Sequence, residues 1–154
     1  MFHIGDRVCY PMHGVAEIRA IEEQHLMGVK EDYYILFFPE GKMTAMVPVA
    51  RAETVGLRPL ASAEECECIL LSLKESAPDI DAPWNQRYRT NMDKLRRGTL
   101  TDLADVVKAM RQRMRTHSLS NGEQRLNNTA KSVLLAELSA VLGREKDELR
   151  SHLD

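Results

Sequence analysis

The sequence has few of the residues that would indicate disulfide bonding, membrane insertion or secretion. Its 154 residues include three cysteines, Cys9, Cys66 and Cys68, and so sparse and odd a set argues for a reducing compartment. Its apolar runs are shorter than the roughly 18 residues of a membrane span. The N-terminus lacks the basic and apolar regions of a signal peptide. We therefore expect a cytoplasmic protein.

Motifs that enzymes commonly carry are also missing. The sequence contains no nucleophile elbow, no Walker-type loop and no glycine-rich dinucleotide motif. The histidines lie outside any recognisable catalytic spacing, and His13 is most simply a turn residue. Cys66 and Cys68 stand two apart in a predicted helix, where their side chains diverge and a shared metal is awkward. We predict no catalytic site, no metal and no cofactor, with Cys9 and Cys66 packed as small apolar residues.

Aromatic residues are scarce too, and the single tryptophan, Trp84, lies at a boundary of charge. Residues 60–83 carry one Lys/Arg against six Asp/Glu, whereas residues 84–131 carry eleven Lys/Arg against four Asp/Glu. Because four acids cannot pair with most of eleven bases, we expect uncompensated positive charge, for which a phosphate backbone is the natural partner. The alternative is that these bases lie on solvated helix faces and form i,i+4 pairs.

The first sixty residues have the pattern of short β-strands separated by turns. Met27-Gly28 and Pro39-Glu40-Gly41 are among the turn signals. Five short strands in this length predict a small bent barrel of the SH3 or Tudor type. The predicted strands are Asp6–Pro11, Gly14–Gln24, Asp32–Pro39, Lys42–Val49 and Gly56–Leu60.

From Ser62 onward the apolar spacing becomes helical. Capping boxes at Ser62–Glu65 and Ser120–Glu123 predict helix starts, and Gly98 and Gly143 predict helix ends. The first predicted helix begins at Ser62 and is separated from the second by a break at Ala77–Pro83. The next helices cover Trp84–Arg97, Thr101–His117 and Leu119–Leu142, and Arg144–Leu153 is either a short fifth helix or a frayed tail. The expected fold class is α+β with two domains, a Tudor-like barrel at 1–60 and an all-α domain of about five helices at 61–154.

Trp84 itself allows two interpretations. A lone tryptophan at a helix start is commonly a core anchor, and the spacing of Trp84, Tyr88 and Met92 fits one helix face. Yet Trp84 follows Pro83 and begins the basic block, so it lies at the tip of an element. Apolar side chains beside arginines can wedge into a minor groove or stack on an unpaired base. The residues alone leave both interpretations open.

The segments that carry these features resemble, in order and over nearly the whole chain, the CarD/CdnL-type bacterial transcription regulators. The N-terminal matches are "IGDRVCYPMHGVAEI", "YYILFF", "MTAMVPV" and "VGLRPL". The helical matches are "WNQRYRTNMDKLRRGTLTDLADVVKAMRQR" and "LSNGEQRLNNTAKSVLLAEL".

This resemblance implies that the barrel docks on the β subunit of RNA polymerase, at its protrusion or lobe, by adding a strand to a sheet edge. Two arginines that some family members use fall at Gln24 and Met46, so the contact here must depend more on backbone pairing and apolar packing. The expected polymerase-binding residues are Gln24, Leu26, Lys42, Thr44, Met46 and Pro48.

The resemblance also implies that the helices lie on promoter DNA near the −10 element, at the upstream edge of the transcription bubble. Trp84 matches a tryptophan that wedges into the minor groove and stabilises the open complex, and Arg87 and Arg89 match neighbouring basic contacts. A family lysine falls at Gln124, where the adjacent Arg125 could take its role. Lys131 completes the expected DNA-binding set.

We therefore expect a monomeric, nucleoid-associated regulator of transcription without enzymatic activity. The alternative is an adaptor whose barrel binds a protein and whose basic helices bind RNA or an acidic protein. A redox-sensing enzyme that uses the cysteines is a third possibility.

Overall fold

The computed structural model describes residues 1–77 and 82–154, which form five strands followed by five α-helices. The strands are β1 (Arg7–Tyr10), β2 (Gly14–Leu26), β3 (Val29–Phe38), β4 (Met43–Pro48) and β5 (Arg58–Pro59). The helices are α1 (Ala63–Ser72), α2 (Trp84–Arg97), α3 (Leu100–Met114), α4 (Asn121–Leu142) and α5 (Lys146–Arg150). This arrangement confirms the predicted fold class. The predicted break at Ala77–Pro83 falls partly outside the described residues.

The strands form one antiparallel sheet in the order β4-β3-β2-β1-β5. Met27 and Gly28 connect β2 to β3 with φ angles of 51° and 77°, as a two-residue hairpin requires. The register of β2 against β3 shifts between Ile18 and Ala20, and such an irregularity bends a strand. The bent sheet encloses a core to which Ile18, Tyr34 and Val47 contribute.

The helices bury a second apolar cluster. Leu103 and Val107 of α3 pack against Leu134 and Leu138 of α4, and all four side chains are buried. The helical spacing of the apolar residues predicts that Met114 also points inward, and this prediction is wrong, because Met114 is 45% exposed. The predicted end of this helix at His117 is wrong as well, since α3 ends at Met114 and the next residues form a turn.

Local capping chemistry sets most of the helix ends. Ser120 and Glu123 form a complete capping box at the start of α4, as predicted. Gly98 ends α2 and Gly143 ends α4, each with a φ of 66° that glycine adopts without strain. Thr99 caps α3 by accepting a hydrogen bond from the backbone N–H of Asp102.

The barrel and the helices share a packed junction. Cys9 of β1 lies in the helical cluster rather than in the barrel core, and α4 packs against β2. Arg7 Nη1 also donates to the carbonyl oxygen of Ala140 at 3.2 Å. A domain boundary at residue 60 stays a prediction. Within the described residues, none of the helices has the length and apolar character needed to span a membrane.

Candidate nucleic-acid and protein interfaces

Trp84 is the first residue of α2, directly after Pro83, and its side chain is 43% exposed. Its ring stacks on Tyr88, with centroids 5.0 Å apart and an interplanar angle of 12°. Its indole Nε1 donates to Ser120 Oγ and to Glu123 Oε1, both at 3.2 Å. The ring is therefore held along one edge and one face, while much of its surface is exposed to solvent.

Glu123 is the buried centre of this arrangement, with only 4% of its surface exposed. Its Oε1 also accepts a hydrogen bond from the backbone N–H of Ser120 at 3.2 Å. Its Oε2 lies 4.0 Å from Arg87 Nη2. We call Trp84, Arg87, Ser120 and Glu123 the Glu123 cluster. The capping-box motif predicted the helix start but not that the same carboxylate binds the tryptophan.

The two arginines that the resemblance assigns to DNA lie in different environments. The Arg87 side chain is only 13% exposed, and its Nη1 donates to the carbonyl oxygen of Ala82 at 2.6 Å. Arg89 is exposed to solvent. Arg125 is also exposed and lies in the first turns of α4, the end of that helix that contacts Trp84. Arg89 and Arg125 are thus available to a phosphate, whereas the Arg87 guanidinium is already engaged.

The structure places Lys131 away from this cluster. It lies eight residues beyond Glu123 in α4, about 12 Å along the helix axis. Its ammonium is 2.9 Å from Asp154 Oδ1. It lines a surface groove together with Lys146 and Arg150. Its assignment to DNA stays a prediction, and a phosphate there would compete with Asp154.

The expectation that most bases of the block 84–131 are uncompensated is wrong. Among the described residues, six of the eleven have a carboxylate oxygen within 4.0 Å. The expectation was wrong for two reasons. Asp105 pairs with both Lys94 and Lys108, and Asp154, which pairs with Lys131, lies outside the block. The paired bases are Arg87, Lys94, Arg96, Arg97, Lys108 and Lys131.

Five of the six residues expected to bind polymerase share one face of the sheet. Gln24 pairs with Glu31, and Met46 pairs with Ile35. Glu31 and Ile35 are four apart on β3, so they point to the same side. Two-residue periodicity adds the remaining members of this face, Leu26, Thr44 and Pro48. The sixth residue, Lys42, directly precedes β4 and has a positive φ of 50°.

β4 is an edge strand of the sheet and is accompanied by exposed apolar side chains. Met43 and Met46 on β4 are exposed, and so are Leu26, Met27 and Val29 at the tip of the β2–β3 hairpin. An edge strand presents backbone N–H and C=O groups that can pair with another chain. An open edge beside apolar side chains suits strand addition by a protein partner.

A buried ion pair holds the barrel against the helices. Arg58 Nη1 and Nη2 donate to Glu137 Oε2 and Oε1 at 2.7 and 2.6 Å, and the backbone N–H of Ala61 donates to Oε2 at 2.8 Å. Arg58 Nε and Nη2 also donate to the carbonyl oxygen of Gly98, at 3.1 and 2.9 Å. Glu137 is fully buried. We call Arg58, Ala61, Gly98 and Glu137 the junction clasp.

The protonation states around the clasp follow from burial and from its hydrogen bonds. Burial alone would lower the pKa of Arg58, but the hydrogen bond to Glu137 and the interactions with the acidic groups of Cys9, Glu137 and Cys66 together outweigh it, and the pKa is raised. Burial also raises the pKa of the Cys9 thiol to about 12 and that of Cys66 to about 11. Both thiols are buried as predicted, whereas Cys68 is exposed. Across residues 1–77 and 82–154, we find no group of three or more potential metal ligands.

Two family models cover most of the chain. The model described as "CarD, C-terminal domain" matches residues 69–154, and the model described as "CarD-like/TRCF RID domain" matches residues 2–61. The chain therefore belongs to the CarD-like family of transcription factors, which regulate transcription through RNA polymerase and are not a known class of enzyme. This result confirms the family to which the sequence motifs pointed.

A relative of similar length agrees with this assignment. The chain is 30% identical over 151 residues to the "Putative transcription factor YdeB" of Bacillus subtilis (strain 168), and the match covers 98% of this chain and 99% of that protein. It is also 30% identical to the solution NMR structure of the 72-residue N-terminal domain of Myxococcus xanthus CarD, covering 38% of this chain and 79% of that one with a TM-score of 0.34.

Proposed function

We propose that the protein docks through its barrel on the β subunit of RNA polymerase and contacts promoter DNA at the upstream edge of the transcription bubble. Trp84 then wedges into the minor groove near the −10 element and stabilises the open complex. The observation that carries this proposal is the half-exposed Trp84 ring at the tip of α2, the helix that also carries the exposed Arg89, against the start of α4, which carries the exposed Arg125. The protein acts as a monomer at the nucleoid, in the cytoplasm.

A wedge of this kind favours the open complex only through differential affinity. An indole enters a base step that is already opened or easily deformed, so it binds the melted state better than the closed duplex. A protein that binds both states equally shifts nothing. About 1.4 kcal/mol of preference for the melted state changes the ratio of open to closed complexes tenfold. The exposed arginine side chains suit phosphate contacts, and no residues that would read the edges of nucleobases are evident. We therefore expect the protein to recognise the DNA fork rather than a particular base sequence.

Docking on polymerase supplies the local concentration that a weak DNA contact needs. The open edge of β4 and the exposed Met46 support strand addition to the β subunit. Gln24 and Met46 share the outer face of the sheet, so apolar packing and backbone pairing replace the arginine contacts of some relatives.

The test is the lifetime of the open complex formed with the cognate polymerase. We expect the protein to lengthen this lifetime and the Trp84→Ala variant to lose the effect while still binding polymerase. Leu71→Ala is the matched control, because it removes an exposed apolar side chain from α1 instead. An unchanged effect of Trp84→Ala would contradict the wedge.

Docking is tested by retention of the isolated β subunit on the immobilised protein. Met46→Asp puts a charge beside the open strand, so we expect retention to fall at least tenfold. Met114→Asp is a matched control, since Met114 on α3 is exposed to a similar extent, 45% against 46%. Failure of the wild-type protein to retain the β subunit would instead favour the adaptor with another protein partner.

A further inference from the structure

We propose that Glu123 is the positioning residue of Trp84, and that the Glu123 cluster fixes the orientation of the indole ring before any partner binds. The inference rests on the proposed function, because the orientation matters only if Trp84 meets nucleic acid. It assigns Arg87 to the same positioning role, in place of the phosphate contact that the resemblance implies.

Two independent contacts define the orientation of the ring. The indole N–H is bound by Ser120 Oγ and Glu123 Oε1, both at 3.2 Å. The face of the ring stacks on Tyr88, which is one helical turn further along α2. Because a tryptophan side chain has only two rotatable bonds, an anchored edge and an anchored face leave it one orientation.

Glu123 is the member of the cluster that contacts all the others. It is almost fully buried, and its Oε1 accepts from both Trp84 and the backbone N–H of Ser120. Its own backbone N–H donates to Ser120 Oγ, which holds the carboxylate in place at the start of α4. The capping box of one helix thus anchors the first side chain of another.

Arg87 is the remaining member of the cluster. Its guanidinium lies 4.0 Å from Glu123 Oε2 and donates to the carbonyl oxygen of Ala82, two residues before Trp84. With both its charge and a donor engaged and 13% of its side chain exposed, Arg87 acts on Trp84 through Glu123 and through the entry to α2. Arg89, which is exposed, is then the residue of this pair that meets a phosphate.

Such preorganisation has a measurable consequence. A freely rotating tryptophan would lose its rotational freedom on binding, which weakens binding about two- to tenfold. A ring that is already fixed avoids that loss. We therefore expect the loss of Glu123 to reduce the stabilisation of the open complex about two- to tenfold, and the loss of Trp84 to abolish it.

The first experiment needs no partner, because Trp84 is the only tryptophan and gives a single indole N–H signal in an NMR spectrum. We expect Glu123→Ala to shift this signal and to accelerate its exchange with solvent. Glu123→Gln retains an acceptor and can complete a capping box, so its signal should stay close to that of the wild type. An unchanged signal in Glu123→Ala would overturn the proposal.

Thr99→Ala is the control for a general loss of helix stability. It removes the N-cap side chain of α3, which accepts from Asp102 as Ser120 accepts from Glu123, at a place that does not contact Trp84. We expect it to lower the melting temperature without moving the indole signal. A Thr99→Ala variant that shifted the indole signal as much as Glu123→Ala does would show that the signal reports stability rather than position, and would overturn the proposal.

The second experiment measures open-complex lifetime for Trp84→Ala, Glu123→Ala and Glu123→Gln. The proposal requires a partial loss for Glu123→Ala that Glu123→Gln restores. Complete loss with Trp84→Ala but none with Glu123→Ala would overturn the positioning role and leave the proposed function standing. No loss with Trp84→Ala would overturn the proposed function, while the indole signal would still report whether Glu123 fixes the ring.

The third experiment separates Arg87 from Arg89 by the salt dependence of binding to forked promoter DNA. A lost phosphate contact reduces the salt slope by about one. We expect that reduction for Arg89→Gln and an unchanged slope for Arg87→Gln, together with a shifted indole signal in the latter alone. A reduced slope for Arg87→Gln would return Arg87 to the DNA contact.

Discussion

Two buried glutamates on the same helix perform different tasks. Glu123 lies near the start of α4 and Glu137 in its second half, 14 residues further on. Fourteen residues make nearly four turns, so the two side chains leave the same side of the helix about 21 Å apart. Glu123 binds an exposed aromatic ring at one end of the helix, whereas Glu137 binds the barrel at the other.

The difference between these sites lies in their partners and their solvent. Glu137 receives both arms of the Arg58 guanidinium and a backbone N–H, away from water. Glu123 receives two N–H donors beside a ring that is partly in solvent, and its arginine is 4.0 Å away. Glu137, whose oxygens are saturated with hydrogen bonds, joins two parts of the fold. Glu123 accepts fewer hydrogen bonds and holds a surface side chain in place, so its removal should cost less free energy of unfolding.

The largest expected effect comes from breaking the junction clasp. Glu137→Ala leaves the Arg58 guanidinium partly buried without its counterion, so we expect unfolding to become easier by about 3–5 kcal/mol in urea denaturation. Glu148→Ala is the control, since it breaks the exposed Arg144–Glu148 pair and should cost at most about 1 kcal/mol. Equal losses in the two variants would show that the clasp contributes no more than a surface pair.

A second prediction concerns stability at alkaline pH, which depends on the buried thiols beside the junction clasp. The pKa of Cys9 is raised from 9.0 to about 12 and that of Cys66 to about 11, in both cases mainly by burial. Above pH 9 the unfolded chain loses these protons and the folded chain keeps them, so stability present below pH 9 is lost as pH rises. Each thiol should contribute a fall of about 1.4 kcal/mol per pH unit between pH 9 and 11.

Urea denaturation at pH 8 to 11 measures this fall, and a Cys9→Ala variant should show a shallower one. Cys68→Ala is the matched control, because Cys68 is exposed. A slope that is the same for Cys9→Ala and the wild type would mean that water reaches the junction.

Substitutions at the start of α4 should reduce the free energy of unfolding less than the loss of the junction clasp does. Ser120→Ala removes the N-cap side chain and one acceptor of the Trp84 indole, and we expect a loss of about 1 kcal/mol in the free energy of unfolding. Tryptophan fluorescence should change in the same variant, since Trp84 is the sole tryptophan. A loss as large as that of Glu137→Ala would remove the contrast between the two ends of the helix.

The smallest effect is expected at Gly122, which lies beneath the aromatic pair. A methyl group there would lie 3.4 Å from Tyr88 Cε2 and 3.9 Å from Trp84 Cζ2, which is ordinary contact. Gly122→Ala should therefore stabilise the protein by about 0.5 kcal/mol, by reducing the freedom of the unfolded chain. Gly143→Ala is the contrasting variant, because its φ of 66° makes any side chain strained. Thermal unfolding should move the two melting temperatures in opposite directions.

The features that were predictable from the sequence depend on neighbouring residues. The bounds of α2, the glycine ends of α2 and α4 and the Ser120 capping box follow from local chemistry, and all of them are confirmed. The β2–β3 hairpin is equally local, because its turn needs only two residues that accept positive φ.

The features that were missed depend on which elements meet. Lys94 of α2 pairs with Asp105 of α3, so the number of paired basic residues could not be predicted by counting charges within one segment of the sequence. The role of Glu123 depends on the start of α2 lying against the start of α4. Glu137 did carry a signal, since a carboxylate between the buried Leu134 and Leu138 must have a partner. That signal does not identify Arg58, which is 79 residues away.

The length of α4 can also be expressed in base pairs. Its 22 residues extend about 33 Å, and the 21 Å between its two glutamates correspond to about six base pairs of duplex at roughly 3.4 Å each. In the proposed function, this helix thus separates the polymerase-bound barrel from the Trp84 ring that wedges into the minor groove. One added helical turn would displace the ring by about one and a half base pairs. In the proposed function, the length of α4 then sets how far along the promoter Trp84 lies from the polymerase contact.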